Sequence, residues 1–357
     1  MTAMLIADRL RAHRLTAPAA SPVEAAAHLL AVQAQEFWGG RWALAVRSRT
    51  HGATPTLSEI DAAFDAGELV RSWTMRGTIH IVRAGDLGWV LQVTGDRQRR
   101  QAASRQRQLE IDAGTLERAQ QAIARALRGG GRLTRAEAFA LLEGAGVGTA
   151  GQRGYHILYA LSVNGLLCQG PIVAREGAPT RGQYFVLADE WITPSSGPAD
   201  PLAELFLRYI DGHGPAGAAD FAWWSGLPIT TARRAAAASA QRLVEIDDGV
   251  FVARRLPPAD PAAPRVIALP SFDEYYISYA DRSAVATAES AALIGPGKNG
   301  MVRPILLADG RVAGAWAHSK AIGRHADDPV PELHVAGAAT DAEVAAALDR
   351  YARFITG

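Results

Sequence analysis

The sequence predicts an α+β chain: three tandem winged-helix modules, each a helix–turn–helix followed by a β-hairpin, then a small C-terminal β-barrel-like domain. Three observations predict it. A unit of helix, helix and two short strands recurs three times before residue 258. A proline-rich segment, LPPADPAAP (256–264), interrupts the chain there, and alternating apolar strands follow it. With 357 residues the chain exceeds one hydrophobic core, and the boundaries expected are 1–113, 114–194, 195–258 and 259–357.

In the first module, Ser21-Pro22-Val23-Glu24 is a capping box with proline at the first helical position. Ala26, Ala27, Leu30 and Ala34 would be the buried face of a helix that Gly39-Gly40 allows to end soon afterwards. A second helix is expected over 57–64, then strands 69–73 and 78–82 around the turn Arg76-Gly77. The second module opens on another capping box, Thr134-Arg135-Ala136-Glu137. Its second helix, 151–163, stops at Asn164-Gly165, and the strands LLCQGPIV and QYFVLA flank a glycine-rich tip. The third has helices near 202–210, 218–224 and 229–238 and the hairpin LVEIDDGVFVAR, whose Asp-Gly pair suits a type I′ turn. Beyond 259, VIALPSFDEYY and VRPILLADGRVAGAW read as strands, with a second Asp-Gly hairpin. A closing helix over 341–355 carries apolar residues at 344, 347, 348, 351 and 354.

Composition narrows the function classes. Apolar residues make up 48% and charged residues 20%, the balance of an ordinary globular protein. No apolar run reaches the roughly 18–20 residues of a membrane span, and the N-terminus lacks a signal-peptide cleavage pattern, so a cytoplasmic location is expected. Cys168 is the single cysteine, which excludes disulfides, zinc fingers and cysteine-held iron–sulfur clusters. No His/Cys/Glu set has metal-ligand spacing, and no cofactor is expected. Net charge is +1, yet residues 71–132 hold twelve arginines against five acids. The densest stretch, GDRQRRQAASRQRQ (95–108), supplies Arg97, Arg99, Arg100 and Arg105 as candidate phosphate contacts, since guanidinium groups hold phosphate oxygens bidentately. Arg71 and Arg76 on the first hairpin and Lys298 in the loop Gly297-Lys298-Asn299-Gly300 are further candidates. Trp38, Trp73 and His80 are candidate lining residues, with core packing as the plainer role for Trp73 and a hydrogen-bonded structural histidine as that for His80.

Three stretches resemble one family: AVQAQEFWGGRWALAVRSR (31–49), LVRSWTMRGTIHIV (69–82), and PSFDEYYISYADR (270–282) with VRPILLADGRVAGAW (302–316). They are similar to the winged-helix DNA glycosylases of the AlkZ and YcaQ type, which excise alkylated or crosslinked purines. Gln33-Ala34-Gln35 matches the glutamine–apolar–glutamine motif of the AlkZ branch. The resemblance implies that Gln33 and Gln35 position the water that attacks the anomeric carbon, and that an open, C-shaped row of modules admits bulky or tethered adducts.

The chemistry is coherent. A glutamine is a poor general base at neutral pH, but an N7-alkylated purine already carries positive charge and departs without protonation. Two oriented amides then suffice to hold one water and stabilise an oxocarbenium-like state. On a continuous helix, residues 33 and 35 would point about 200° apart, so the helix must end near them for both to meet one water. Asp273 is the alternative catalytic carboxylate, with a partly buried acceptor as its structural reading. Lys298 and Lys320 are the only lysines, and no motif points to either as a Schiff-base amine, which favours a monofunctional, metal-independent hydrolase. The expected partner is double-stranded DNA bearing alkylated or crosslinked purines, bound by a monomer. A non-catalytic winged-helix regulator of transcription is the alternative, and a scaffold or small-molecule-binding module is a third.

Overall fold

The computed structural model describes residues 2–174, 180, 182–298, 300–317 and 329–356. The chain gathers into two compact units, one made of Met1–Ile60 with Ala203–Gly357 and the other of Asp61–Leu202.

The unit Asp61–Leu202 contains four antiparallel strands in the spatial order Thr78–Arg83, Leu69–Met75, Leu167–Ile172, Gln183–Leu187. The hairpins read as wings of two separate modules therefore share one ladder, joined where Arg71 faces Gln169. Flanked on both sides, Leu69–Met75 is buried along its whole length and is not a solvent-facing wing strand. Its turn does follow local chemistry. Arg76 and Gly77 have φ of 54° and 71°, the two consecutive positive values of a type I′ hairpin. Holding arginine there costs about 1 kcal/mol.

Helices Leu87–Gln108, Ala113–Leu127, Arg135–Gly144 and Arg153–Val163 belong to this unit. Ile123, Leu127, Leu142, Ile157 and Leu161 join Trp73, Phe185 and Leu187 in its core. Thr134 forms the expected capping box: Glu137 N–H donates to its Oγ1 at 3.3 Å, and its own N–H donates to the Glu137 carboxylate at 2.7 Å. Most of the expected glycine-rich tip, 175–179 and 181, lies outside the described residues.

The other unit joins the two ends of the chain. Helices Thr2–Ala12, Pro22–Leu29 and Phe37–Ala45 come from its first segment. The second segment adds helices Ala218–Ser225 and Ile229–Ser239 and a three-stranded antiparallel sheet ordered Ala216–Gly217, Val250–Ala253, Leu243–Asp247. In the last hairpin only Gly249 has positive φ, so its turn is not type I′; Asp309-Gly310, at 48° and 74°, has both.

Strands Val330–Leu333, Arg311–Ala317, Ile305–Ala308 and Val266–Leu269 form, in that order, an open antiparallel sheet. The barrel-like closure expected for 259–357 is not present among the described residues, because four short strands are too few to curl a sheet onto itself. Helix Asp341–Thr356 covers the sheet instead. Its Tyr351 stacks edge-on against Trp316 at 4.6 Å and Trp42 at 5.2 Å. Trp42, on helix Phe37–Ala45, donates its indole N–H to the Ala268 carbonyl at 2.8 Å. The N-terminal helix after the glutamine motif is thereby fastened to the C-terminal sheet.

Candidate active site

Helix Pro22–Leu29 starts as its cap dictates, with Glu24 N–H donating to Ser21 Oγ at 3.1 Å. It stops earlier than the alanine-rich sequence suggests. Ala31 N–H donates to Leu29 O at 2.8 Å across Leu30, whose φ of 66° and ψ of −47° make a strained γ-turn. Leu30 is fully buried, which offsets that strain. Close packing holds the helix end: a Cβ on Gly212 would sit 3.0 Å from the His28 carbonyl oxygen.

The motif is consequently not helical. Val32–Gln33 is extended, Gln35 lies in a bend, and the next helix begins at Phe37. The expected helix, whose buried face was to reach Ala34, is therefore shorter than read, and Gly39-Gly40 falls in the first turn of the following one. The divergence of about 200° that one continuous helix would impose on residues two apart therefore does not apply to Gln33 and Gln35. Gln33 is 9% exposed and Gln35 is exposed, so the pair spans the boundary between interior and solvent.

A buried carboxylate holds the motif in place. Gln33 N–H donates to Glu274 Oε1 at 2.8 Å; Glu274 Oε2 accepts from Trp224 Nε1 at 3.1 Å and from Ser278 Oγ. Glu274 is 1% exposed. His213 Nε2 stands 3.8 Å from Oε2, under a Tyr209 ring stacked at 4.8 Å.

Asp273, the alternative catalytic carboxylate, is corrected to a structural role. Its Oδ1 accepts from Arg47 Nη2 at 2.6 Å and from Tyr275 N–H at 2.9 Å, and Oδ2 accepts from Arg47 Nη1 at 2.8 Å. Both side chains are sealed from solvent, so neither oxygen is available to activate water.

The sequence reading passed over Glu36, the carboxylate next to Gln35. It caps helix Phe37–Ala45, accepting from Trp38 N–H at 3.1 Å and Gly39 N–H at 2.6 Å. Packing beside it is tight: a Cβ at position 39 would meet both Glu36 Oε2 and Pro270 Cβ at 3.2 Å. Trp38 is 5% exposed, and its indole N–H is buried without an acceptor among the described residues. Arg41 is fully buried, with its guanidinium carbon 4.1 Å from the Phe37 ring centroid and 4.7 Å from that of Trp38.

A family model described as DNA glycosylase AlkZ-like matches residues 26–354. The chain belongs to this DNA glycosylase family. Among solved structures, the Streptomyces sahachiroi DNA glycosylase AlkZ is similar, with a TM-score of 0.74 at 21% sequence identity over 99% of this chain and 96% of that one. At that identity the likeness speaks for the fold. None of the curated proteins matches the chain. The family resemblance read from three stretches of sequence is thus the family found.

For a DNA glycosylase the placement of the arginines matters. Arg97 and Arg100, three residues apart on helix Leu87–Gln108, are both exposed. Arg99 is exposed and pairs with Asp96, while Arg105 donates to the side-chain carbonyls of Gln108 at 3.1 Å and Gln152 at 2.9 Å. Lys298 is exposed in its turn; Asn299 beside it and Lys320 lie outside the described residues.

Arg71 differs from expectation. It is 8% exposed, donating from Nη1 to Gln169 Oε1 at 3.0 Å and Gln183 Oε1 at 3.2 Å, because its strand is interior to the sheet. It lines a cleft of about 570 Å³ with Trp73, Phe139 and Tyr155, not an open wing. Trp73 is 3% exposed and donates its indole N–H to Tyr155 OH at 3.1 Å. His80 is fully buried against Thr74 Oγ1 at 2.9 Å, and half-buried Arg76 reaches its other nitrogen at 3.4 Å.

Fully buried His13 and partly buried His28 predict a stability that falls in acid. Burial, with Arg14 adjacent, lowers the pKa of His28 from 6.5 to about 4, and burial beside His213, Arg47 and Arg9 drives His13 well below its usual value. Both groups take up protons more readily when unfolded, so their contribution is complete above pH 6.5 and is lost as pH falls towards the folded values. For His28 the loss reaches about 3 kcal/mol between pH 6.5 and pH 4. Urea midpoints are expected to fall steadily from pH 7 to pH 4.5, and less steeply in His28→Asn. Equal midpoints at pH 7 and pH 5 would refute this account.

Proposed function

We propose that this glycosylase hydrolyses the N-glycosidic bond of cationic alkylated purines in duplex DNA, N7-alkylguanine foremost, leaving an abasic site. The observation that carries the proposal is the Glu274 clamp on the Gln33 backbone, which anchors a non-helical glutamine motif whose Gln35 is exposed. The bond from C1′ to the purine nitrogen breaks, and its electron pair neutralises the cationic ring. A water oriented by the Gln33 and Gln35 amides bonds to C1′ and releases a proton to solvent. No protonation of the leaving base is required, which suits side chains that cannot exchange protons at neutral pH.

The route needs neither amine nor metal, and the product is a simple abasic site. In this reading the chain acts as a cytoplasmic monomer, residues 1–113, 114–194 and 195–258 serve as winged-helix modules, and bulky or crosslinked purines fall within its range. The exposed Arg97 and Arg100, with Arg99, Arg105, Arg76 and Lys298, are its proposed phosphate contacts.

Single-turnover release from a duplex containing N7-methylguanine, read as alkali-labile strand breaks, tests the proposal. Gln33→Ala and Gln35→Ala are each expected to slow release about 100-fold or more, the usual cost of removing one preorganised dipole. Wild-type binding without release would favour the non-catalytic regulator. Unimpaired release by both variants would remove the glutamines from the mechanism.

A further inference from the structure

The unit that holds the glutamine motif has a second polar site. A pocket of about 450 Å³ is lined by Arg14, His28, Asp211, Arg242, Arg254 and Arg255. We propose that it binds a backbone phosphate of the DNA strand whose damaged nucleotide lies at Gln33 and Gln35. This rests on the function proposed above and adds a specific strand contact to it.

Charge accounting supports an anion. Arg242 is committed to Glu204 at 3.1 Å. Arg254 donates only to the neutral Gln241 carbonyl, and Arg255 is exposed with no ion-pair or hydrogen-bond partner among the described residues. Arg14 reaches His28 Nδ1 at 3.4 Å, and its Nε is buried without an acceptor among the described residues. His28 Nε2 lies 2.7 Å from the Ala12 carbonyl, so it carries the proton and leaves Nδ1 as a neutral acceptor. Three guanidinium groups thus line the pocket with one carboxylate, Asp211; Glu24 acts on Arg14 only through space.

Geometry agrees. Arg14 has φ of 60°, a conformation costly for arginine that persists where the surroundings impose it. Planar guanidinium forks match the paired oxygens of a phosphate better than those of a flat neutral base. His28 lies in the last turn of the helix that leads into the motif and precedes Gln33 by five residues, so the two are at most about 18 Å apart along the chain. That distance corresponds to a few nucleotides at about 3.4 Å per step on one strand.

The test uses the full chain and Arg254→Ala/Arg255→Ala, two exposed positions whose loss leaves no buried group unpaired. Inorganic phosphate is expected to shift the arginine Nε–Hε resonances of wild type and to leave the remaining ones unmoved in the variant. Duplex affinity, measured across salt concentrations, is expected to fall about tenfold near 0.1 M salt, with the slope of log K against log salt shallower by about 1. Arg353→Ala, on an arginine paired with Asp349 elsewhere in the unit, should retain the wild-type slope. An unchanged slope in the double variant overturns the proposal; phosphate shifts with an unchanged slope would instead assign the pocket to a small free anion. A changed slope in a chain that never releases N7-methylguanine keeps the pocket and rejects the proposed reaction, whereas a wild type that binds no duplex rejects both.

Discussion

Arg47→Ala is expected to cost about 3–5 kcal/mol of folding stability, because it leaves the Asp273 carboxylate charged, buried and without its counter-ion. The pair is bidentate, at 2.6 Å and 2.8 Å, with both side chains fully excluded from water. It ties the C-terminal end of helix Phe37–Ala45 to the short helix Glu274–Ile277 that Asp273 caps. Removing both charges together is a different experiment. Arg47→Met with Asp273→Asn keeps a capping oxygen and buries no net charge, so it should recover most of the loss. Urea denaturation of the three proteins checks this, and a double variant no more stable than Arg47→Ala would show that the cost comes from packing and not from the stranded charge.

Glu274→Ala is expected to damage both stability and catalysis. Its carboxylate accepts from Gln33 N–H, Trp224 Nε1 and Ser278 Oγ, so truncation strands three interior donors at about 1–3 kcal/mol each, less where water enters. Glu274→Gln separates the two effects. An amide keeps one acceptor oxygen but turns N–H groups towards one set of donors, and either orientation weakens the Gln33 anchor or the Trp224 anchor. The chain should fold, with kcat for N7-methylguanine release reduced by about tenfold or more and KM for the duplex little changed, since the clamp sets the motif's position and not the grip on DNA. Equal kcat in Glu274→Gln and wild type, at matched stability, would make the carboxylate a packing feature only.

What could be read along the chain was set by neighbours a few residues away. Ser21 and Thr134 announced their helices because capping is settled within one turn, and Asp309-Gly310 announced its hairpin because two positive φ values suit few residue pairs; at Arg76-Gly77 only the glycine and the flanking apolar strands carried the signal. Gln33-Ala34-Gln35 was recognisable as a pattern of residue types, and with the flanking stretches it carried the family.

Elsewhere the tertiary structure overrode local preference. Nothing in the run EAAAHLLAVQAQ stops a helix at Leu29; burial of Leu30, the close approach of Gly212 and a carboxylate 241 positions further on do so. The strand bearing Arg71 looks like a wing in isolation, and only its pairing with a strand nearly a hundred residues later makes it interior. Asp273 offered itself as a catalytic carboxylate until Arg47 claimed both its oxygens. Residue types and turn chemistry are properties of short segments, so the sequence alone determined the family, the caps and the tight turns. Backbone direction at the glutamines and the burial of Arg71 and Asp273 depend on hydrogen bonds and ion pairs between residues 98 to 241 positions apart, which exist only once the chain has folded.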